Sequence, residues 1–222
     1  MPSPLLLPAH SKICVTCGFI FPMQKSNLVG IGLRAKTARA IAVVLGGPSD
    51  APIVVRKFEI ILADPKVPAT AQPYHEVMDL PWTESQKAVR KTARAIETIA
   101  QKALAGLVKE LQSTGMIVSG VGIVGAKDKD LARIGNFHIR AHAAEGVLFR
   151  HVLDLAADAN GLKKRTFADR DFDEVTKIEL GAQCATLKRK LSELGRTLAP
   201  PWRTDEKQAA TAAWLVLHGR SR

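Results

Sequence analysis

The sequence predicts an α/β fold in which helices flank a mixed five-stranded sheet. Residues 27–65 hold three apolar, β-branched runs separated by turn residues, which is typical of an antiparallel three-strand meander. A long helical pattern follows. The wholly apolar run at 116–126 then indicates a central strand that is covered on both faces. Strands that come first and then alternate with helices indicate a sheet with both antiparallel and parallel pairs.

The three strands of the meander are expected at Asn27 to Leu33, Ala38 to Leu45 and Ile53 to Leu62. Gly46-Gly47-Pro48-Ser49 supplies the turn between the second strand and the third. Residues 63–82 contain four prolines, and we therefore expect a loop there.

The rest of the chain is predicted to alternate between helix and strand. Thr83 and Gln86 have the spacing of a capping box, which predicts a helix from there to about Ser113. The glycines of GVGIVGA lie inside the fourth strand and do not open a helix, so they do not predict a phosphate-binding loop. The remaining elements are expected to be a helix from Phe137 to Ala157, a strand from Lys163 to Ala168, a helix from Ala182 to Leu194 and a last helix from Asp205 to Leu217 that Thr204 caps.

The charge balance favours a polyanionic partner. The 222 residues include 32 Lys and Arg against 21 Asp and Glu, a formal net charge of +11, and each phosphate that a cation neutralises releases counterions. Aromatic residues that could stack on single-stranded bases are few, so the expected partner is duplex or branched nucleic acid, contacted through its backbone. A solvated basic surface is the alternative. The candidate binding residues are Arg34, Lys36 and Arg39 near the first hairpin, Lys87, Arg90, Lys91 and Arg94 on one side of the first helix, and Lys188, Arg189 and Lys190 on the penultimate helix.

Residues 1–22 are expected to form an irregular, disordered leader before a single domain at 23–222. Cys14 and Cys17 belong to a C-x-x-C-G segment that has the form of half a zinc ribbon. A closed structural zinc site needs four ligands, and no second C-x-x-C follows. We therefore expect no zinc site in the leader.

The composition predicts a cytoplasmic protein without a membrane partner. Three cysteines, an odd number, do not indicate a disulfide framework and favour a reducing compartment. No apolar run approaches the roughly 18 residues that a membrane span requires.

Three segments of the chain carry a resemblance to a known family. They are VGIGLRAKTARAIAVV, VSGVGIVGA and the closing LKRKLSELGRT…DEKQAATAAWLVLHG. With them, residues 28–218 resemble the RuvC-type Holliday-junction resolvase branch of the ribonuclease H-like superfamily. The resemblance implies a ribonuclease H-like sheet, a homodimer and an active site in which carboxylates hold two Mg²⁺ ions.

The carboxylates that the resemblance implies are absent from the matching positions. The aspartate of the first strand is replaced by Gly32, and the glutamate at the end of the fourth strand by Gly125 or Ala126. The two acids of the last helix match Gln208 and Thr211. We therefore expect a non-catalytic nucleic-acid-binding protein that needs no cofactor.

Two other functions stay open. The first is an active Mg²⁺-dependent nuclease whose acids have moved to Asp128, Asp130, Glu145 and Asp205. Asp128 and Asp130 also fit a solvated loop, and Asp205 fits the first turn of a helix, where negative charge is favourable. The second is an accessory or scaffold protein whose basic face binds an acidic protein.

A histidine pair offers separate metal chemistry. His138, His142 and Glu145 are spaced by four and three residues, which places them on one face of the second helix. Such a face can bind Zn²⁺, with the glutamate as a third ligand or a base. The same face continues into Val152 and Ala156, which instead favours buried, hydrogen-bonded histidines.

Overall fold

The computed structural model describes residues 27–219, so the leader with Cys14 and Cys17 lies outside the described residues. One five-stranded sheet has the order β3-β2-β1-β4-β5. Strands β1 and β2 pair antiparallel, as do β2 and β3, whereas β4 lies parallel to both β1 and β5. The predicted fold class, a mixed sheet with an antiparallel meander, is therefore confirmed. The strands are β1 (Leu28–Lys36), β2 (Arg39–Gly46), β3 (Ile53–Ile61), β4 (Ile117–Gly125) and β5 (Lys164–Ala168).

Five α-helices flank this sheet within residues 27–219: α1 (Trp82–Ser113), α2 (Phe137–Ala159), α3 (Phe172–Leu180), α4 (Gln183–Leu194) and α5 (Thr204–His218). Helix α3 was not predicted, because its nine residues are too few to give a clear apolar period. None of the described helices is long and apolar enough to cross a membrane.

Both predicted side-chain caps were wrong. Helix α1 begins at Trp82 with Pro81 as its N-cap, and no side chain caps it. Helix α5 begins at Thr204 itself, and the Glu206 carboxylate accepts a hydrogen bond of 2.7 Å from the backbone N–H of Arg203. The capping contact at α5 therefore comes from the acid at the third helical position.

The two faces of the sheet are covered by different helices. Residues of α1 and α2, such as Ile96 and Phe149, form one core with alternate residues of β1. Residues of α4 and α5, such as Leu191 and Ala213, form the second core on the opposite face. Because successive side chains of a strand point to opposite faces, the even-numbered residues of β1 face α5.

Candidate functional site

The face of β1 that meets α5 carries Gly30 and Gly32, and neither has room for a side chain. A Cβ built at Gly32 would overlap the carbonyl oxygen of Ala209 and lie 2.7 Å from its carbonyl carbon. A Cβ at Gly30 would overlap the carbonyl oxygen of Ala213. The obstructing atoms belong to the helix backbone, so they move only if α5 moves. Position 32, where the resemblance implies an aspartate, is therefore filled by α5.

The end of β4 is covered by a cationic side chain. A Cβ built at Gly125 would lie 2.5 Å from Cγ of Arg150, which extends from α2. Arg150 is 11% exposed and forms ion pairs with Asp128 and, at 3.0 Å, with Asp154. Gly125 is one of the two positions where the resemblance implies a glutamate. The aliphatic part of the Arg150 side chain occupies the space that a side chain at this position would need.

Arg34 is the residue on β1 that follows Gly32 on the same face, and it lies between two carboxylates. Its Nε is 3.3 Å from Oδ1 of Asp205, in the first turn of α5, and its Nη2 is 3.4 Å from Oδ2 of Asp169, directly after β5. Lys36 is also paired with Asp205, at 3.2 Å. The Arg34 side chain is only 12% exposed. Two acids that converge at this edge of the sheet are therefore neutralised by protein cations.

The four acids of the nuclease alternative have four different sets of partners. Asp128 pairs with Arg150, and Asp130 pairs with Arg133 at 3.0 Å on the surface. Glu145 is bonded to a histidine, and Asp205 pairs with the two cations of β1. Within residues 27–219, these acids do not form a group of three or more ligand atoms that could share one ion. Asp169 lies close to the expected site, and the sequence analysis missed it although it directly follows the predicted fifth strand.

The structure adds a third histidine to the predicted pair on α2. His75, from the segment before α1, has its ring centroid 4.3 Å from that of His142 and 5.2 Å from that of His138. The ligand nitrogens of the three side chains all lie within 4.8 Å of one another. His138 and His142 are exposed, so the predicted burial of this pair is wrong.

Glu145 holds the added histidine and does not lie beside the other two as a third ligand. Its Oε1 is 2.7 Å from Nδ1 of His75 and accepts a further bond of 3.2 Å from the backbone N–H of His75. Its side chain is fully buried, at 0% exposure. His75 was not predicted, because only tertiary packing brings its loop to α2.

The predicted nucleic-acid-binding residues differ in their environments. Lys87, Arg90, Lys91 and Arg94 are all exposed on α1, and within the described part of the chain they form no ion pair. The exposed Lys102 and Lys109 extend the same side of the helix, because their positions differ by near-multiples of its 3.6-residue period. These six residues are called the α1 basic face below.

The other predicted cations already have partners. Arg39 pairs with Glu59 at 3.7 Å. On α4, Lys188 lies 2.9 Å from Asp173 and Arg189 lies 2.9 Å from Glu193, while Lys190 donates to the backbone oxygen of Asp50. The hydrogen bond to Asp173 raises the pKa of Lys188 above its ordinary value. Among the predicted groups of cations within residues 27–219, the α1 basic face is therefore the one without ion pairs.

Comparisons with known proteins give a faint likeness only. No family model matches the chain, and no curated protein matches it. The structure is similar to that of Thermus thermophilus RuvC in complex with a Holliday junction substrate, with 12% identity, a TM-score of 0.45 and coverage of 84% of this chain and 90% of that chain. It is also similar to a second Thermus thermophilus RuvC structure, with 11% identity, a TM-score of 0.43 and coverage of 84% and 91%. Likeness at this level assigns no substrate and no site residue.

Proposed function

We propose that this chain is a nucleic-acid-binding protein of RuvC-like, ribonuclease H-like fold that does not hydrolyse phosphodiesters through a two-metal site. The α1 basic face carries the proposal. Its six cations are exposed and free of ion pairs within residues 27–219, so their charges are available to phosphates. Cations that release counterions from a nucleic acid supply most of the sequence-independent affinity.

The length of the α1 basic face suits a phosphate backbone. Lys87 and Lys109 are separated along α1 by about 33 Å at the helical rise of about 1.5 Å per residue. One turn of B-DNA has a similar length, about 34 Å. Contacts along this face would fix the position of a duplex or a junction arm without reading its sequence.

The surroundings of Arg34 support the absence of two-metal hydrolysis. That chemistry requires several carboxylates that are free to coordinate the cations. Asp169 and Asp205 instead have the Arg34 guanidinium between them, and Lys36 also pairs with Asp205. An ion at this edge would have to displace both cations and overcome their repulsion.

The nuclease alternative and the accessory-protein alternative make different demands. A nuclease requires Asp128, Asp130, Glu145 and Asp205 to leave their present partners and converge on the same ions. An accessory protein requires an acidic protein surface in place of nucleic acid on α1.

A homodimer and a cytoplasmic location stay predictions. Sedimentation measures the oligomeric state and therefore tests the homodimer.

Binding is tested with labelled duplex and four-way-junction DNA over a range of salt concentrations. Wild type is expected to lose affinity steeply as salt increases. The Lys87→Ala/Arg90→Ala/Lys91→Ala/Arg94→Ala variant is expected to bind more weakly, with a slope of log affinity against log salt that is smaller by about 3 to 4, at about 0.9 per lost phosphate contact.

The matched control is Lys188→Ala/Arg189→Ala/Lys190→Ala. It removes three cations of α4 that already have partners within the protein. We expect it to change the slope by less than about 1. If it changes the slope as much as the α1 variant does, then bulk charge and not the α1 basic face governs binding. If wild type binds no nucleic acid at low salt, the accessory-protein alternative replaces the proposal.

Hydrolysis is tested with junction, duplex and RNA–DNA hybrid substrates in Mg²⁺ or Mn²⁺, and we expect no cleavage. Cleavage that disappears in Asp130→Asn, Glu145→Gln or Asp205→Asn would contradict the proposal and establish the relocated nuclease site.

A further inference from the structure

The three clustered histidines show the arrangement of a metal site. In residues 27–219, theirs is the one group of three or more His, Cys, Asp or Glu side chains with ligand atoms close enough to share an ion. His138 and His142 are one helical turn apart on α2, and His75 reaches them from the segment before α1. The two parts of the chain thus present their imidazoles to one point.

The hydrogen bonds of His75 fix which of its nitrogens is available. Because a carboxylate oxygen only accepts, Nδ1 of His75 carries the proton that is donated to Oε1 of Glu145. The other ring nitrogen, Nε2, is then an acceptor in the neutral ring. It is buried and has no hydrogen-bond partner within the described residues. A histidine that donates one N–H to a carboxylate and presents its other nitrogen is the usual arrangement around a protein-bound metal.

The burial of Glu145 gives a second reason. This carboxylate is fully buried, and its Oε2 has no hydrogen-bond partner within the described residues. A buried carboxylate is costly unless positive charge lies nearby. Arg140, a buried cation of α2, instead lies over the rings of Phe137 and Trp82, at 4.8 and 5.6 Å from their centroids. A divalent cation on Nε2 of His75 would compensate the negative charge of the Glu145 carboxylate. That charge would in turn offset the repulsion between the metal ion and the positive end of the helix dipole at the N-terminus of α2.

We propose that His75, His138 and His142 bind one divalent transition-metal ion of the zinc class, with Glu145 as the residue that orients His75. Tetrahedral zinc has Zn–N distances of about 2.0–2.1 Å, which places ligand nitrogens about 3.3 Å apart. The separations in the cluster, all within 4.8 Å, must therefore shorten by at most about 1.5 Å, and the exposed side chains of His138 and His142 are free to make that adjustment. Three imidazoles leave the fourth position for water or a small anion.

The bound ion would fasten the segment before α1 to α2. The proposed site shares no residue with the α1 basic face or with the ion pairs of Arg34, so this proposal does not rest on the proposed function. A ligand that binds only the native state increases its stability with concentration, which gives a readout that needs no activity.

The test is calorimetric titration of zinc sulfate into full-length protein that was purified without a polyhistidine tag and treated with a chelator. Because Cys14 and Cys17 could also bind zinc, the titration is made in a Cys14→Ser/Cys17→Ser background as well as in wild type. We expect one zinc per chain in both proteins and a melting temperature that increases with zinc. Cobalt in place of zinc is expected to show the visible absorption of a tetrahedral site.

The variants assign the ligands. His138→Ala and His142→Ala are each expected to abolish the one-to-one binding, while their melting temperatures without metal stay close to that of wild type. His151→Ala is the matched control, because His151 is an exposed histidine on the same helix outside the cluster. Glu145→Gln is expected to weaken zinc binding by about 10- to 100-fold, because replacement of a residue that orients a metal ligand typically lowers metal affinity by this factor.

Two results would overturn the proposal. One is the absence of stoichiometric zinc in the protein that lacks Cys14 and Cys17, which would make the cluster a hydrogen-bonded group of histidines. The other is zinc binding of unchanged affinity in both His138→Ala and His142→Ala, which would place the ion elsewhere.

Discussion

The replacement of Gly32 by alanine tests how tightly α5 is packed against the sheet. The new Cβ would overlap the carbonyl oxygen of Ala209 and lie 2.7 Å from the carbonyl carbon of that residue and 2.8 Å from the backbone nitrogen of Ala213. Ordinary carbon contacts are about 3.5–4.0 Å. All three obstructing atoms belong to the helix backbone, so a side-chain rotation cannot relieve the clash.

We expect Gly32→Ala to reach the upper end of the usual cost of overpacking, about 3 kcal/mol in the free energy of unfolding. For a chain of this size, a loss of that magnitude lowers the melting temperature by about 6–12 °C. Urea unfolding followed by circular dichroism measures the free energy, and a thermal scan measures the midpoint.

Gly106→Ala is the matched control, because a Cβ at this exposed position inside α1 meets nothing within 4 Å. We expect it to stabilise the protein by about 0.5–1 kcal/mol, since alanine is a better helix former than glycine. If Gly32→Ala lowers the free energy of unfolding by less than about 1 kcal/mol, the lower end of the overpacking range, then α5 is not packed tightly against the sheet at this position. The same clash means that Gly32→Asp cannot restore a metal ligand without displacing α5.

Two further predictions concern the termini of the chain. Deletion of residues 1–22 is expected to leave the melting temperature unchanged, because these residues lack both periodicity and a complete metal site; a decrease of several degrees would show that the leader packs on the domain. Partial burial of His218 lowers its pKa below the ordinary 6.5, so the unfolded chain binds the proton more tightly than the native state does. Its contribution to stability is therefore complete above pH 6.5 and decreases as the pH falls below that value. Urea unfolding at a series of pH values is expected to show that the free energy of unfolding decreases less at low pH for His218→Gln than for wild type. Equal decreases would show that His218 does not cause the pH dependence.

Local sequence signals predicted the sheet well. The three-strand meander, the apolar fourth strand and the long helix were visible because each depends on periodicity and turn chemistry that extend over several neighbouring residues. The start of α1 was misplaced by two residues, because Pro81 and not Thr83 is the N-cap. Helix α3 was not predicted, because an amphipathic segment of nine residues is too short to be distinguished from a loop by its apolar period.

The candidate sites were less predictable because they depend on contacts between distant segments. The sequence placed His138 and His142 together, since helical spacing alone does so, but gave no sign that His75 joins them. It also showed a glycine at position 32, where the resemblance implies an aspartate, without showing that α5 fills the space beside that glycine. The acidic partners of Arg34 are a residue after β5 and a residue in α5, and neither is near it in sequence.

The glycine contact between β1 and α5 also affects how the chain folds. It joins the first strand of the described domain to its last helix, so almost the whole domain must be present before this face of β1 is covered. Contacts between such distant segments slow folding, because the intervening chain loses entropy before the contact forms. During synthesis, β1 can pair with β2 and β3 and pack on α1 while its other face still contacts water. We therefore expect the native state to form only after α5 has left the ribosome and has packed over the glycines.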